Sequence, residues 1–118
     1  MKVVSLQVYE GINIYCHRPV IKTGIDMGKY SEIMSCDLGN GFIEMLLKTL
    51  PGLKRHSCGT GYENGFYERL REGITLAHII EHLVIELQNI LGYDIKFGKT
   101  RLRHDSVYDV IFEYINGP

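Results

Sequence analysis

Three features of the sequence predict an α+β fold for a single domain that spans residues 1–118. The chain has 118 residues, a length that one hydrophobic core can support. Segments with the two-residue period of strands lie toward both ends, and segments with helical periodicity fill the middle. Because strands and helices are mixed rather than strictly alternating, a parallel sheet is not favoured. We predict a small, mostly antiparallel sheet packed against one long helix and one or two shorter helices.

The amino-terminal half contains two predicted strands and one predicted helix. Residues 2–9 are rich in β-branched and aromatic side chains, and residues 19–27 alternate, with Gly24 at a position that suits a bulge. A polar connection follows over 28–37. Residues 39–50 carry apolar side chains at helical spacing, and a Pro-Gly pair then ends the helix.

The carboxyl-terminal half contains the long helix. Glycines over 53–64 indicate a loop, which we expect to open on a short strand. A short helix is predicted over 65–71 and the long helix over 76–91. Strands are predicted over 93–97 and 107–115, the latter from clear alternation. The long helix has matching end signals, Thr75 as N-cap and Gly92 as terminator.

Composition argues against several classes of partner. The formal net charge is −1 and no run of Lys and Arg occurs, so we expect no nucleic-acid partner. No apolar run reaches the roughly 18 residues that crossing a bilayer requires, and the amino terminus lacks a secretory apolar region. Three cysteines without a C-x-x-C pair argue against a disulfide framework. We therefore expect a cytoplasmic protein without a membrane partner.

The long helix carries the best sign of chemistry. His78 and His82 are four residues apart, so they lie about one turn apart on one face, where two imidazoles can bind one metal ion. Glu81 stands beside them, placed to take a proton from a water that the ion activates. The order H-x-x-E-H is the inverse of the zinc-peptidase motif H-E-x-x-H.

A metal site of this kind needs a third ligand. Glu86 continues the four-residue series, but residues eight apart lie about 12 Å apart along a helix, too far for both end side chains to meet one ion. Glu86 is better suited to orienting His82 through its free ring nitrogen. The loop before the helix offers Cys58, binding as thiolate, and then His56. Imidazole and thiolate suit zinc, although other divalent ions bind such sites.

Cationic side chains just after the helix complete the catalytic hypothesis. Arg101, or Lys99, could stabilise an oxyanion or hold a substrate carboxylate, while Glu81 passes its proton to the leaving amine. A simpler interpretation competes with this one. The basic run is also typical of a surface turn, and the polar helix face could be ordinary, with a carboxylate–imidazole contact between His82 and Glu86.

Short motifs recur along nearly the whole chain in a specific order and spacing. They lie at 11–13, 18–19, 50–53, 56–58, 65–73, 78–82, 86–88, 97–101 and 107–114. Together they resemble the amino-terminal domain of cyanophycin synthetase. The early motif differs, because Gly11-Ile12-Asn13 stands where that family usually has Gly-Pro-Asn. The chain stops soon after the last predicted strand, as expected of either a free-standing copy or an excised piece.

The resemblance implies a role in making cyanophycin, a poly-aspartate polymer that carries arginine on its side chains. It implies partnership with an ATP-grasp module and a Mur-ligase-like module, neither of which fits within 118 residues. It also implies a metallopeptidase-like site at His78, Glu81 and His82 that cuts the polymer into short primers. The alternatives are a non-catalytic domain that tethers the polymer, with Arg69 and Lys99 among its contacts, and a purely structural domain.

Overall fold

A four-stranded antiparallel sheet forms one side of the protein. The computed structural model describes residues 1–58, 61 and 63–115. Neighbouring strands are antiparallel throughout, which confirms the α+β prediction. In the order β1-β2-β4-β3 across the sheet, the strands are β1 (Lys2–Tyr9), β2 (Val20–Asp26), β3 (Gly98–His104) and β4 (Val107–Glu113).

The described residues form three α-helices, α1 (Asn40–Thr49), α2 (Gly65–Glu72) and α3 (Leu76–Ile90), and α3 packs against β3 and β4. The hydroxyl of Thr75 accepts a hydrogen bond from the backbone N–H of His78 at 3.2 Å, so the predicted cap of α3 is confirmed. Gly92 follows the helix with a φ of 99°, a conformation that favours glycine. Within the described ranges, no helix has the length and apolar content needed to cross a membrane.

The strand predicted over 93–97 is wrong, and β3 takes its place in the sheet. The side chain of Asn89 bonds both the backbone N–H and the backbone carbonyl of Ile95. The carboxylate of Glu113 accepts from the next two backbone N–H groups. Side chains therefore satisfy the backbone groups that a strand would have paired with a neighbour. Residues 98–104, expected to begin as a surface turn, pair with β4 instead.

Two smaller expectations also need correction. The loop over 53–64 opens on a 3-10 helix, Pro51–Arg55, rather than a strand, and proline suits the first turn of that helix. The bulge expected at Gly24 lies in the facing strand, because the register shift falls between Val3 and Ser5 of β1. The inserted residue is thus on the edge strand, where bulges are common.

Helix α3 lies between two hydrophobic clusters. Ala77 belongs to the cluster that includes Tyr108 and Val110 of β4. Ile79 belongs to a second cluster, formed mainly by α1 and α2. The helix thus uses two of its faces for packing. Its third face is polar and yet buried, and it carries Glu81, His82 and Glu86.

Candidate metal centre

A cleft of about 820 Å³ borders the polar face of α3. Residues 55–58 form one wall, and the start of β3 forms the other. Side chains of both charges line it, so it suits a ligand with both cationic and anionic groups. Its charged and metal-ligating side chains are Arg55, His56, Cys58, Arg69, His78, Glu81, His82, Glu86, Asp94, Lys96 and Lys99.

Three of these side chains have the arrangement of a metal-binding group. Donor atoms of Cys58, His78 and His82 all lie within 4.8 Å of one another. The Cys58 Sγ atom is 3.4 Å from Nε2 of His78. In a tetrahedral zinc site, sulfur and nitrogen ligands lie about 3.3–3.7 Å apart. The group therefore needs only a small contraction to bind one ion, and a fourth position would remain for water.

The imidazole of His82 supports the same interpretation. Its Nε2 is buried and, among the described residues, has no hydrogen-bond partner. A buried polar atom without a partner costs about 1–3 kcal/mol, so native structures rarely leave one. A metal ion at the centre of the group would satisfy this atom. Phe66 stacks on the ring, with centroids 4.0 Å apart, and so fixes its plane.

The other nitrogen of His82 is engaged by His56. The two Nδ1 atoms are 2.9 Å apart, and Nε2 of His56 lies 3.0 Å from Oε1 of Glu86. Glu86 therefore reaches His82 through His56 rather than directly. A Cβ on Gly52 would collide with the Glu86 carboxylate, so the carboxylate can keep this position because residue 52 is glycine.

Glu81 stands beside the donors, with Oε2 at 3.6 Å from Nε2 of His82. Its other oxygen, Oε1, accepts a 2.7 Å hydrogen bond from the hydroxyl of Thr100. A Cβ on Gly98 would lie 2.7 Å from Oε2, so β3 leaves room for the carboxylate by carrying glycine there. Sequence reasoning missed Gly98 and Thr100. A glycine inside a strand is the signal that could have pointed to the first of them.

Burial controls the protonation of these groups. It lowers the pKa of His78 to about 4 and that of His82 to about 3, so both rings are neutral at pH 7 and can bind a metal. Burial raises the pKa of Glu81, against the hydrogen bond from Thr100 and the charge of Arg69. Burial also raises the pKa of the Cys58 thiol, so metal binding has to displace its proton.

The backbone at Cys58 has an uncommon conformation. Its φ is 51°, a left-handed value that few residues other than glycine adopt. Its carbonyl accepts a hydrogen bond from Arg69 at 3.3 Å, which ties the loop to α2. Strained backbone of this kind tends to occur at functional sites, where it sets the direction of a side chain.

The predicted cations do not all lie in the cleft. Arg69 and Lys99 line the cleft. Arg101 does not line the cleft, and its side chain turns toward β4 instead. There Nε of Arg101 donates to the buried carboxylate of Asp109 at 3.2 Å. The structure therefore brings together every predicted site residue except Arg101.

Comparisons with known proteins agree on one family. A family model described as the cyanophycin synthase-like N-terminal domain matches residues 22–117. The chain is 37% identical over 118 residues to a cyanophycin synthetase of Geminocystis herdmanii and 35% identical over 119 residues to one of Trichormus variabilis. It is 34% identical over 119 residues to one of Synechocystis. Each match covers 98% of this chain, which spans 13–14% of the length of these relatives.

Proposed function

The chain belongs to the cyanophycin synthase-like N-terminal domain family, and from that premise we propose that it is a metallopeptidase-like hydrolase. Its proposed substrate is cyanophycin, or a related amide polymer of aspartate and arginine, which it cuts into short primers. Those primers would then be extended by ATP-grasp and Mur-ligase-like modules. The proposal places the reaction in the cytoplasm, where reducing conditions keep Cys58 available as a free thiol.

One observation carries the proposal: the buried Nε2 of His82 has no protein partner among the described residues. The donor atoms of Cys58 and His78 lie close to that of His82. A carboxylate oxygen of Glu81 lies 3.6 Å from Nε2 of His82. Two imidazoles and one thiolate are a donor set that zinc prefers, although other divalent ions bind similar sets. A carboxylate beside the donors is what a catalytic site needs, and a structural metal site has no use for it.

The residues around the donors would divide the reaction among them. Zinc, when bound, polarises an amide carbonyl and makes water more acidic. Glu81 takes a proton from water through Oε2 and later gives it to the leaving amine. Thr100 holds the other oxygen of Glu81, so the carboxylate keeps its orientation through the proton transfers. Arg69, with its cationic charge close to the donors, takes the role first assigned to Arg101 and binds a carboxylate of the polymer.

The test compares Glu81→Gln with wild-type protein on cyanophycin in the presence of zinc. We expect the variant to retain zinc and to lose about 10²- to 10⁴-fold in the rate of new amino-group release, the usual contribution of a general base. Glu44→Gln makes the same chemical change at an exposed position of α1 and should leave the rate unchanged. Zinc content is measured by elemental analysis of the purified proteins.

Two results would contradict the proposal. One is a Glu81→Gln variant that hydrolyses the polymer as fast as wild type. The other is a wild-type protein that, loaded with zinc, sediments with the polymer but releases nothing. The second result would favour the tethering alternative, because affinity would then be present without hydrolysis.

A further inference from the structure

We infer that Glu86 and His56 form a relay that fixes the tautomer of His82 and so presents Nε2 of His82 to the metal. This inference rests on the proposed function only for the presence of a metal; it does not depend on hydrolysis. His56 and Glu86 are positioning residues in this scheme, since neither is required to touch the ion. The relay comprises two hydrogen bonds, of 3.0 Å and 2.9 Å.

The direction of each hydrogen bond follows from the outer end of the relay. An ionised carboxylate can only accept, so Nε2 of His56 carries the hydrogen that Glu86 receives. A neutral imidazole has one N–H and one lone pair, and Nδ1 of His56 must therefore accept. The hydrogen between the two Nδ1 atoms then belongs to His82. Its Nε2 is left with a lone pair, which is what a metal ion requires.

Reversing the hydrogen bond between the two Nδ1 atoms would leave a buried N–H without an acceptor at the centre of the site. If His56 donated from Nδ1, a neutral His82 would carry its hydrogen on Nε2. That N–H would be buried, and none of the described residues accepts from it within hydrogen-bond distance. The nearest carboxylate oxygen, on Glu81, lies 3.6 Å away. An unmade buried hydrogen bond is costly, whereas a lone pair can be satisfied by a cation.

The geometry around the relay leaves little freedom for another arrangement. Phe66 stacks on the His82 ring at 4.0 Å, and Glu86 occupies a space that a Cβ on Gly52 would fill. Metal-binding histidines commonly give their second N–H directly to a carboxylate or a carbonyl. Here an imidazole is placed between the ligand and the carboxylate, so the loop that carries His56 also sets the state of a helix residue.

Two measurements test the relay, and neither is an activity. Long-range ¹H–¹⁵N correlation spectra of the metal-free protein should show His82 protonated at Nδ1 and bare at Nε2. Zinc affinity, measured by competition with a chromophoric chelator, should fall about 10- to 100-fold in His56→Phe, the usual effect of losing a residue that orients a ligand. His56→Gln keeps an acceptor and a donor, and it should stay much closer to wild type than His56→Phe does.

The outcomes separate the relay from the proposed function. A wild-type protein with His82 protonated at Nε2 overturns the relay, and this measurement requires no variant to fold. The relay is also overturned if wild type binds no zinc, or if His56→Phe binds zinc as tightly as wild type. Equal losses of zinc affinity in both His56 variants would overturn it too, because the effect of His56 would then come from packing alone. Conversely, a protein with the expected tautomer and affinities that leaves cyanophycin uncut supports the relay and contradicts the hydrolase.

Discussion

The surroundings of a single carboxylate, that of Glu81, combine burial with close contacts to β3. Gly98 makes room for the carboxylate, and Thr100 donates to one of its oxygens at 2.7 Å. Burial raises the pKa of Glu81, and the Thr100 hydroxyl opposes that change by stabilising the ionised form. A buried carboxylate with few hydrogen bonds is a stronger base than one in water, provided that it is ionised at the working pH.

Thr100→Val should move the acidic limb of the pH–rate profile to higher pH. Removing the hydroxyl takes away a hydrogen bond to the ionised form, so the pKa of Glu81 rises further and less of the base is ionised at low pH. The loss in kcat/KM for polymer hydrolysis should be largest at acidic pH and smallest at alkaline pH. Thr100→Ser keeps the hydroxyl and should follow the wild-type profile. An unmoved limb in Thr100→Val would show that Glu81 is not the titrating base.

Helix α3 is the element on which the site depends, because His78, Glu81, His82 and Glu86 all belong to it. The first turn of the helix is fixed by the Thr75 hydroxyl, which accepts from the N–H of His78 itself. A cap of this kind satisfies one of the backbone donors that a helix start leaves unpaired. The cap therefore supports the fold and one proposed ligand together.

Thr75→Ala should lower the free energy of unfolding by about 1 kcal/mol, within the usual range of roughly 0.5–2 kcal/mol for loss of a helix cap. Urea denaturation followed by circular dichroism measures the change. Thr49→Ala provides a matched control, since Thr49 is exposed and its hydroxyl bonds a carbonyl within α1 and caps nothing. Equal stabilities of the two variants would mean that the Thr75 hydroxyl bond contributes nothing measurable.

The elements that the sequence predicted well are those with local signals. Helix α3 has a helical apolar period with a threonine and a glycine at its ends, and its limits were predicted to within about one residue. Strand β3 was missed because Leu102 is its one apolar side chain other than glycine, so it has no apolar period. The segment before it is held by the side chain of Asn89, at the end of α3, and by that of Glu113, 17 residues beyond Lys96. Such side chain to backbone bonds have no periodic signature.

The same distinction applies to the candidate site. The closeness of His78 and His82 is a property of any helix, so their spacing predicted it. The face on which Arg101 lies depends on strand register, and a shift of one residue exchanges the two faces. The path from Glu86 to His82 runs through His56, whose position is set by a loop with few sequence signals. Contacts between elements were therefore predicted less well than contacts within one.

The stability of the molecule should depend on pH through two imidazoles, that of the buried His82 and that of the half-buried His78. In the metal-free protein, the pKa is about 4 for His78 and about 3 for His82, against 6.5 for an ordinary histidine. The unfolded chain therefore binds more protons as pH falls below 6.5, and the free energy of unfolding must fall with it until the folded pKa values are passed. Glu81 has a raised pKa, so its protonation stabilises the folded state as pH falls. It is a single group, whereas two imidazoles act in the other direction.

Urea denaturation of the metal-free protein at pH values from 7 to 4 should show this loss of stability. His82→Phe should reduce the slope of the unfolding free energy against pH by the equivalent of up to about one bound proton. His104→Phe makes the same change at an exposed position and should leave the slope as in wild type. Zinc at pH 7 should stabilise the wild-type protein, and the gain should vanish in acid because the ligands must be deprotonated to bind. A wild-type stability that is flat over this range would mean that water reaches both rings. The cleft would then be too open for Glu81 to act as a desolvated base, so this equilibrium measurement constrains the catalytic proposal without any substrate.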